Sequence, residues 1–182
     1  GINALYAAFT KRMREQMGVK FQAVLFNTAA DHEGIVNVKN TVLDLDVSPA
    51  SLVPWVTGLI AGTGINQSAM NTVYNGEYRV NVDYTQAQLE AAILAGEFTL
   101  HQVGNDVRVL RDINSLVNTT ADKGTVFKNN QTIRVIDAIA NDIAVLFNTK
   151  YLGQIPNDAA GRVSLWADIV QHTGAAAGVV VA

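Results

Sequence analysis

The fold of this chain is decided by residues 84–117, which have the sequence YTQAQLEAAILAGEFTLHQVGNDVRVLRDINSLV. Residues 85–94 predict a helix, because the Thr85 hydroxyl can accept a hydrogen bond from an unpaired amide of the first turn. Gly96 follows at a position where glycine commonly ends a helix. The remainder of the stretch is β-prone, so the segment predicts a helix that leads directly into strands.

Two β-prone runs complete this stretch. Residues 97–102 and 106–111 flank a Val-Gly-Asn sequence whose length and composition suit a hairpin turn. Two earlier runs, residues 19–26 and 35–38, are also apolar and β-prone. Strands that alternate with a helix in this way predict a sheet with helices packed on it.

Four more segments carry helical signals. Residues 2–17 have an amphipathic pattern that ends at Gly18, and residues 48–60 begin with a proline that a first helical turn tolerates. Residues 128–148 carry an apolar stripe at helical spacing, and residues 159–172 form a further helical segment. The first two thirds of the chain therefore combine helices and strands, and the last third is helical. This order predicts an α/β (mixed α+β) fold.

The first predicted helix separates apolar from charged residues. Its apolar positions recur at helical spacing, and they are Leu5, Ala8, Phe9 and Met13. Its charged positions lie on the other side, and they are Lys11, Arg12, Arg14 and Glu15. This segment is therefore predicted to be an amphipathic surface helix.

The composition excludes several classes of protein. With 182 residues, of which 49% are hydrophobic and 16% charged, the chain can bury a sizeable core. The formal net charge is -3, so the chain has no excess of basic residues that would predict a nucleic-acid partner. The absence of cysteine excludes disulfides, thiol nucleophiles and cysteine-ligated zinc.

The first residues of the chain carry no targeting signal. Residues 1–6 lack an initiator methionine and a charged flank leading into a long apolar stretch. They predict neither a signal peptide nor direct membrane insertion. We expect the chain to begin inside a longer protein.

Sequence motifs for catalysis or cofactor binding are incomplete. Residues 58–64 are glycine-rich, but isoleucine and asparagine follow where a phosphate-binding loop needs lysine and then serine or threonine. Asp31-His32-Glu33 collects three acid–base groups, which we interpret as a solvated turn rather than a metal site. No serine lies in a Gly-x-Ser-x-Gly sequence. We predict no catalytic residue, no cofactor and no metal site.

Several ordered blocks resemble the tail sheath family of contractile phages, defective prophages and bacteriocin-like particles. The blocks that carry the resemblance are residues 9–15, 20–27, 84–98, 111–117, 123–124, 127–129, 133–143, 151–153, 156–157 and 161–162. The resemblance extends to about Val170, and several blocks in order are more specific than any single short motif.

This resemblance implies a fold and a division of the chain. It implies a subtilisin-like sheet with packed helices over residues 1–115, without hydrolase activity. A smaller, mainly helical C-terminal sheath domain is expected over residues 116–182. The family has longer terminal arms than this chain, so we expect the N-terminal arm to be absent and the C-terminal arm to be incomplete.

The resemblance also implies a function. Subunits are expected to polymerise helically around a tail tube and to contract, which drives the tube through the envelope of a target cell. The expected partners are other copies of the chain, the tail tube protein, and the baseplate and tail terminator proteins. The expected location is the virion tail, after assembly in the host cytoplasm.

Two groups of residues are candidates for contacts between subunits. The first is the β-branched triplet Val179, Val180 and Val181, which we interpret as a remnant of an inter-subunit strand. The second is the charged side of the first helix, with Lys11, Arg12 and Arg14. Two alternatives stay open at this point, another self-assembling tail component of the tube or baseplate, or an α/β hydrolase-like enzyme.

Overall fold

The computed structural model describes the backbone of residues 1–181 and the side chains of residues 1–172. The chain divides into two compact units, Gly1–Ile133 and Arg134–Ala182. The division into sequence domains after residue 115 stays a prediction.

The first unit contains most of the secondary structure. Its helices are α1 (Ile2–Glu15), α2 (Val53–Gly62), α3 (Gln86–Leu94) and the start of α4 (Asn130–Leu146). Its strands are β1 (Ala23–Phe26), β2 (Ile35–Val38), β3 (Glu97–Phe98), β4 (Leu100–Val103) and β5 (Asp106–Val109). A short 3₁₀ helix, Thr125–Lys128, precedes α4. The predicted mixture of helices and strands is confirmed.

Three strands form a parallel sheet in the order β1-β2-β3. Ala23 lies opposite Ile35, and Asn37 lies opposite Glu97. All four residues of β2 are buried. A parallel strand buried on both faces is typically a continuous apolar run, which explains why residues 35–38 lack a polar alternation apart from Asn37.

Helices cover both faces of this sheet. On one face, Ala7 of α1 packs with Leu25 and Ile35. On the other face, Val36 and Val38 join a larger apolar cluster to which α2 contributes Val56 and Ile60. Successive side chains of a strand point to opposite faces, so β1 and β2 supply both layers.

The predicted strand over residues 97–102 is divided in two. Residues 97–98 are β3 of the parallel sheet, whereas residues 100–103 are β4 of the antiparallel hairpin with β5. The division is made by Asn40, which is fully buried. The Asn40 Oδ1 atom accepts a 2.7 Å hydrogen bond from the Leu100 amide, and its Nδ2 donates to the Leu100 carbonyl at 2.9 Å and the Asn81 carbonyl at 2.8 Å. The Asn40 side chain therefore makes the hydrogen bonds to Leu100 that a neighbouring strand would otherwise make.

The start and the end of α3 follow their sequence signals. The Thr85 hydroxyl accepts from the Gln88 amide and the Gln88 side chain accepts from the Thr85 amide, which completes a capping box. Gly96 has φ +68°, and a Cβ atom there would lie 3.0 Å from the Ser115 carbonyl carbon. Glycine is therefore required both by the backbone conformation and by the close approach of residues 114–115.

The second unit is helical. It contains the remainder of α4, a π-helical turn at Phe147–Tyr151, and α5 (Ala159–Val181). Asp168 of α5 accepts hydrogen bonds from the Tyr151 hydroxyl at 2.5 Å and from Lys150 at 2.6 Å. The hydrogen bond from Lys150 lowers the pKa of the Asp168 carboxyl, with Tyr151 adding to the shift. This polar cluster ties the π-helical turn to α5.

The predicted elements compare closely with this structure. The hairpin is confirmed, with Gly104 at φ +58° in its turn, and β2 has its predicted bounds. The strand predicted over residues 19–26 is shorter, and the helix predicted to begin at residue 48 begins at Val53. Among the described residues, no helix is long and apolar enough to cross a membrane.

We expect Asn40→Ala to destabilise the first unit. The substitution leaves the buried Leu100 amide and two carbonyl groups without their partner, which we expect to lower the free energy of unfolding by about 2–4 kcal/mol. Chemical denaturation followed by circular dichroism measures this change. The matched control is Asn141→Ala on the exposed surface of α4, which should change stability by less than about 0.5 kcal/mol. Equal effects of the two substitutions would contradict the assigned role of Asn40.

Candidate functional site

Helix α1 presents its apolar side to solvent. The Leu5 side chain is 71% exposed, and Ile2, Tyr6 and Phe9 are each more than half exposed. An amphipathic surface helix normally packs its apolar stripe against the core of its own domain. The orientation of α1 is therefore the reverse of the usual one, and its exposed face is a candidate contact surface.

The side of α1 that faces the protein interior carries small or polar side chains instead. Its buried residues are Ala7, Thr10 and Arg14. The Arg14 side chain is 5% exposed, and its Nη1 donates a 2.6 Å hydrogen bond to the Phe21 carbonyl. A Cβ atom at Gly34 would lie 2.3 Å from Arg14 Cδ, so glycine at that position makes room for this side chain. The buried arginine and the glycine together fix which face of α1 points inward.

The structure separates the three basic residues that the sequence placed on one side of α1. Arg14 is buried, whereas Lys11 is half-buried and donates a 2.6 Å hydrogen bond to the Ala30 carbonyl. Arg12 is exposed and lies beside the apolar residues. Contact of these three residues with a neighbouring subunit stays a prediction, and Arg12 is the member that an approaching partner would meet first.

The second predicted contact group is Val179, Val180 and Val181. The backbone of these valines belongs to helix α5 rather than to a strand, and their side chains lie outside the described ones. Their role in an inter-subunit strand stays a prediction.

The exposed residues of α1 have the spacing of a helix-packing seam. Ile2, Leu5, Phe9 and Arg12 are separated by three, four and three residues. This alternation of three and four places side chains in a narrow row, as at the contact positions of two packed helices. The spacing was visible in the sequence, but only the structure shows that the row points away from the core.

A polar cluster lies beside the C-terminal end of α1. His32 Nε2 is 3.2 Å from Glu15 Oε1 and 3.7 Å from Glu33 Oε2, and Lys123 Nζ is 2.9 Å from Glu33 Oε1. His32 and Glu33 are both buried, so the interpretation of this segment as a solvated turn is wrong. Residues 115–118 close over it, because the Ser115 hydroxyl donates to the His32 carbonyl at 3.0 Å.

Burial controls the ionisation of His32. The Gly34 amide donates a 2.9 Å hydrogen bond to His32 Nδ1, which requires the neutral form of the ring at that nitrogen. Desolvation lowers the pKa of His32, although the Glu33 and Glu15 carboxylates oppose the shift. Burial by itself would raise the pKa of Glu33, but hydrogen bonds from Lys123 and the backbone bring it below its ordinary value.

The side chains of this cluster are not placed to hold a metal ion. Within the described residues, no group of three or more histidine, cysteine, aspartate or glutamate side chains is placed to hold a metal ion. The glycine-rich segment at residues 58–64 forms the end of α2 and the turn after it. The arrangement of polar groups therefore supports structural ties between elements, and the exposed face of α1 is the stronger candidate for function.

Two protein-family models match this chain. Residues 1–115 match the family model described as phage tail sheath protein central domain. Residues 122–175 match the family model described as phage tail sheath C-terminal domain. The two matches together cover most of the chain.

Similar proteins come from phages and from phage-like elements. Phage-like element PBSX protein XkdK of Bacillus subtilis is 39% identical over 147 residues, which are 78% of this chain and 32% of XkdK. The tail sheath protein of Clostridium phage phiCD119 is 34% identical over 149 residues, which are 81% of this chain and 42% of that protein. The chain thus spans less than half the length of these relatives.

A solved structure has the same fold. The crystal structure of the sheath tail protein DSY3957 from Desulfitobacterium hafniense superimposes with a TM-score of 0.88 at 38% identity. The match covers 98% of this chain and 43% of that protein. The sheath-domain fold expected from the sequence is confirmed, together with its helical C-terminal portion.

We expect His32 to make stability depend on pH. Its folded-state pKa lies below the ordinary value of 6.5, so its contribution is fully present above about pH 6.5 and is lost as pH falls through the lowered pKa. His32→Asn keeps an acceptor near the Gly34 amide but does not titrate. The variant should therefore lose less stability than the wild-type chain between about pH 7 and about pH 5, as measured by urea denaturation. Parallel losses in both proteins would contradict this assignment.

Proposed function

The chain belongs to the phage tail sheath protein family, and we propose that it is the part of a sheath subunit that polymerises helically around a tail tube. Members of this family have a structural role in phage tails, which is not enzymatic. The chain covers less than half of its relatives, so the activity and partners of the whole protein are part of this proposal.

The exposed face of α1 supports assembly with further copies of the chain. Three large apolar side chains, Ile2, Leu5 and Phe9, lie in one row on a helix that is anchored from behind by Arg14. Their exposure costs free energy in the isolated subunit and is relieved when a second helix packs on the row. We propose that this face packs against a neighbouring subunit in the sheath.

The proposed mechanism is contraction of the assembled lattice. An extended arrangement of subunits would pass in one direction to a compact arrangement with better-matched surfaces, and this movement would drive the tube through the target envelope. Assembly energy summed over many subunits would supply the work, so the mechanism needs no nucleotide. The proposed division into a core domain, residues 1–115, and a C-terminal domain, residues 116–182, would let contacts in one domain persist while the other repacks.

The proposed partners follow from the position of a sheath in the tail. Besides copies of itself, the subunit would contact the tail tube protein along its length and the baseplate and tail terminator proteins at its two ends. The proposed location is the virion tail, with assembly in the host cytoplasm.

Electron microscopy tests the proposed polymerisation. We expect the intact gene product at high concentration to form hollow tubes of uniform width in negative stain. Dispersed particles under the same conditions, from a protein whose termini are confirmed to be intact, would contradict the proposal and would favour another tail component.

Substitutions on α1 test the proposed contact face. The double variant Leu5→Ser and Phe9→Ser should reduce tube formation at least about tenfold, because apolar residues at the centre of an interface contribute most of its energy. Pelleting of polymer from soluble subunit measures this. The matched control is the same substitution at Leu152, which is 59% exposed in the second unit. Tubes of the double variant that form as readily as those of the wild-type protein would contradict the assignment of this face.

A further inference from the structure

A short loop in the first unit displays a leucine fully to solvent. Residues 43–47 have the sequence Leu-Asp-Leu-Asp-Val, and we name this segment the acidic loop. The Leu45 side chain is 99% exposed, and Leu43 is half exposed. Asp46 is exposed beside Leu45. The acidic loop thus combines an apolar tip with a carboxylate.

The acidic loop is held in a defined conformation. Asp44 accepts hydrogen bonds from the Arg79 amide at 2.8 Å and from the Arg79 side chain at 3.1 Å. The Leu43 amide donates to the Arg79 carbonyl at 2.8 Å. The amino-terminal end of the segment is therefore tied to Arg79, and Leu45 follows this fixed end directly. A preordered apolar tip loses little conformational freedom when it binds.

A cavity elsewhere in the same unit has the complementary chemistry. We name it the basic groove, and it has a volume of about 380 Å³. Its apolar lining includes Leu94 and Val126, which are 76% and 59% exposed. Two cations, Arg111 and Lys128, also line it. The basic groove therefore offers apolar contacts next to positive charge.

Of these two cations, Arg111 is the one available for a partner. Lys128 Nζ donates a 2.8 Å hydrogen bond to the Val117 carbonyl. The exposed Arg111 side chain has no hydrogen bond or ion pair with any residue whose side chain is described. A guanidinium is well suited to bind a carboxylate through two parallel hydrogen bonds. The basic groove fits an apolar segment that carries aspartate.

The two surfaces are formed by different segments of the first unit. The basic groove is built around Gly96, which precedes β3, and around Asn114 and Leu116, which flank the residue paired with Ile35 at the start of β2. The acidic loop instead follows the carboxyl end of β2 in the chain. The two surfaces share no residue, so a contact between them can join two different subunits.

We propose that the acidic loop of one copy of this chain docks into the basic groove of the next copy. Leu45 would enter the apolar part of the groove, and Asp46 would pair with Arg111. The contact joins two different surfaces, so it is heterologous and can continue through many subunits without closing on itself. The inference rests on the proposed self-assembly and assigns one of its contacts to named residues.

A charge exchange in the intact subunit tests this contact. Asp46→Lys and Arg111→Glu should each raise the critical concentration for polymerisation, measured by sedimentation, at least about tenfold because like charges then face each other. The double variant restores opposite charges and should return to within about threefold of the wild-type value. Asp83→Lys is the matched control, since Asp83 is an exposed aspartate outside both surfaces and should leave the critical concentration unchanged.

The outcomes separate the docking contact from polymerisation itself. Wild-type protein that forms tubes while both single variants assemble normally would overturn the docking contact and leave the sheath function intact. A double variant no better than the single variants would also overturn it. Single variants that lower the unfolding temperature of the unassembled subunit would show that the groove is filled from within the same subunit, which likewise overturns the proposal. Wild-type protein that forms no polymer would remove the sheath function and the docking contact together.

Discussion

Every buried backbone group in a folded chain needs a hydrogen-bond partner, and in the first unit buried asparagines meet that need where the strands stop. Asn40 bonds to both backbone groups of Leu100, and Asn37 accepts a 2.6 Å hydrogen bond from the Thr28 amide. Asn114 binds the Phe127 carbonyl and the Leu116 amide. Asn130 donates to Asp112 and to the Ile113 carbonyl. These side-chain amides bind backbone groups that a longer neighbouring strand would otherwise bind, so short strands can be buried.

The same constraint explains the orientation of α1. The loop before β1 leaves the Phe21 carbonyl facing the helix, and the Arg14 guanidinium supplies the donor. A buried arginine is tolerated when it is hydrogen-bonded, and Gly34 provides the space that it needs. Once Arg14 points inward, helical geometry forces Leu5 and Phe9 outward. The exposed apolar row is thus a consequence of a polar tie on the opposite side of the helix.

The first unit also carries two chemically different surfaces. The amino ends of β2 and β3 are bordered by the basic groove, and the acidic loop follows the carboxyl end of β2. Two different and complementary surfaces suit linear assembly, because head-to-tail contacts whose rotation does not close generate open helical arrays. The exposed row of α1 would add a lateral contact of a different kind.

The sequence by itself determined the features that depend on neighbouring residues. The capping box of α3, the turn at Gly104, the apolar run of β2 and the helical last third all follow from residue types a few positions apart. The family was also identifiable from ordered blocks of sequence, because these preserve both residue type and spacing. The tertiary structure alone decided the buried face of α1, the break at Thr99 and the burial of His32. Each of these depends on a partner distant in the chain, namely Gly34, Asn40 and Ser115, and such pairings leave no periodic signal in the sequence.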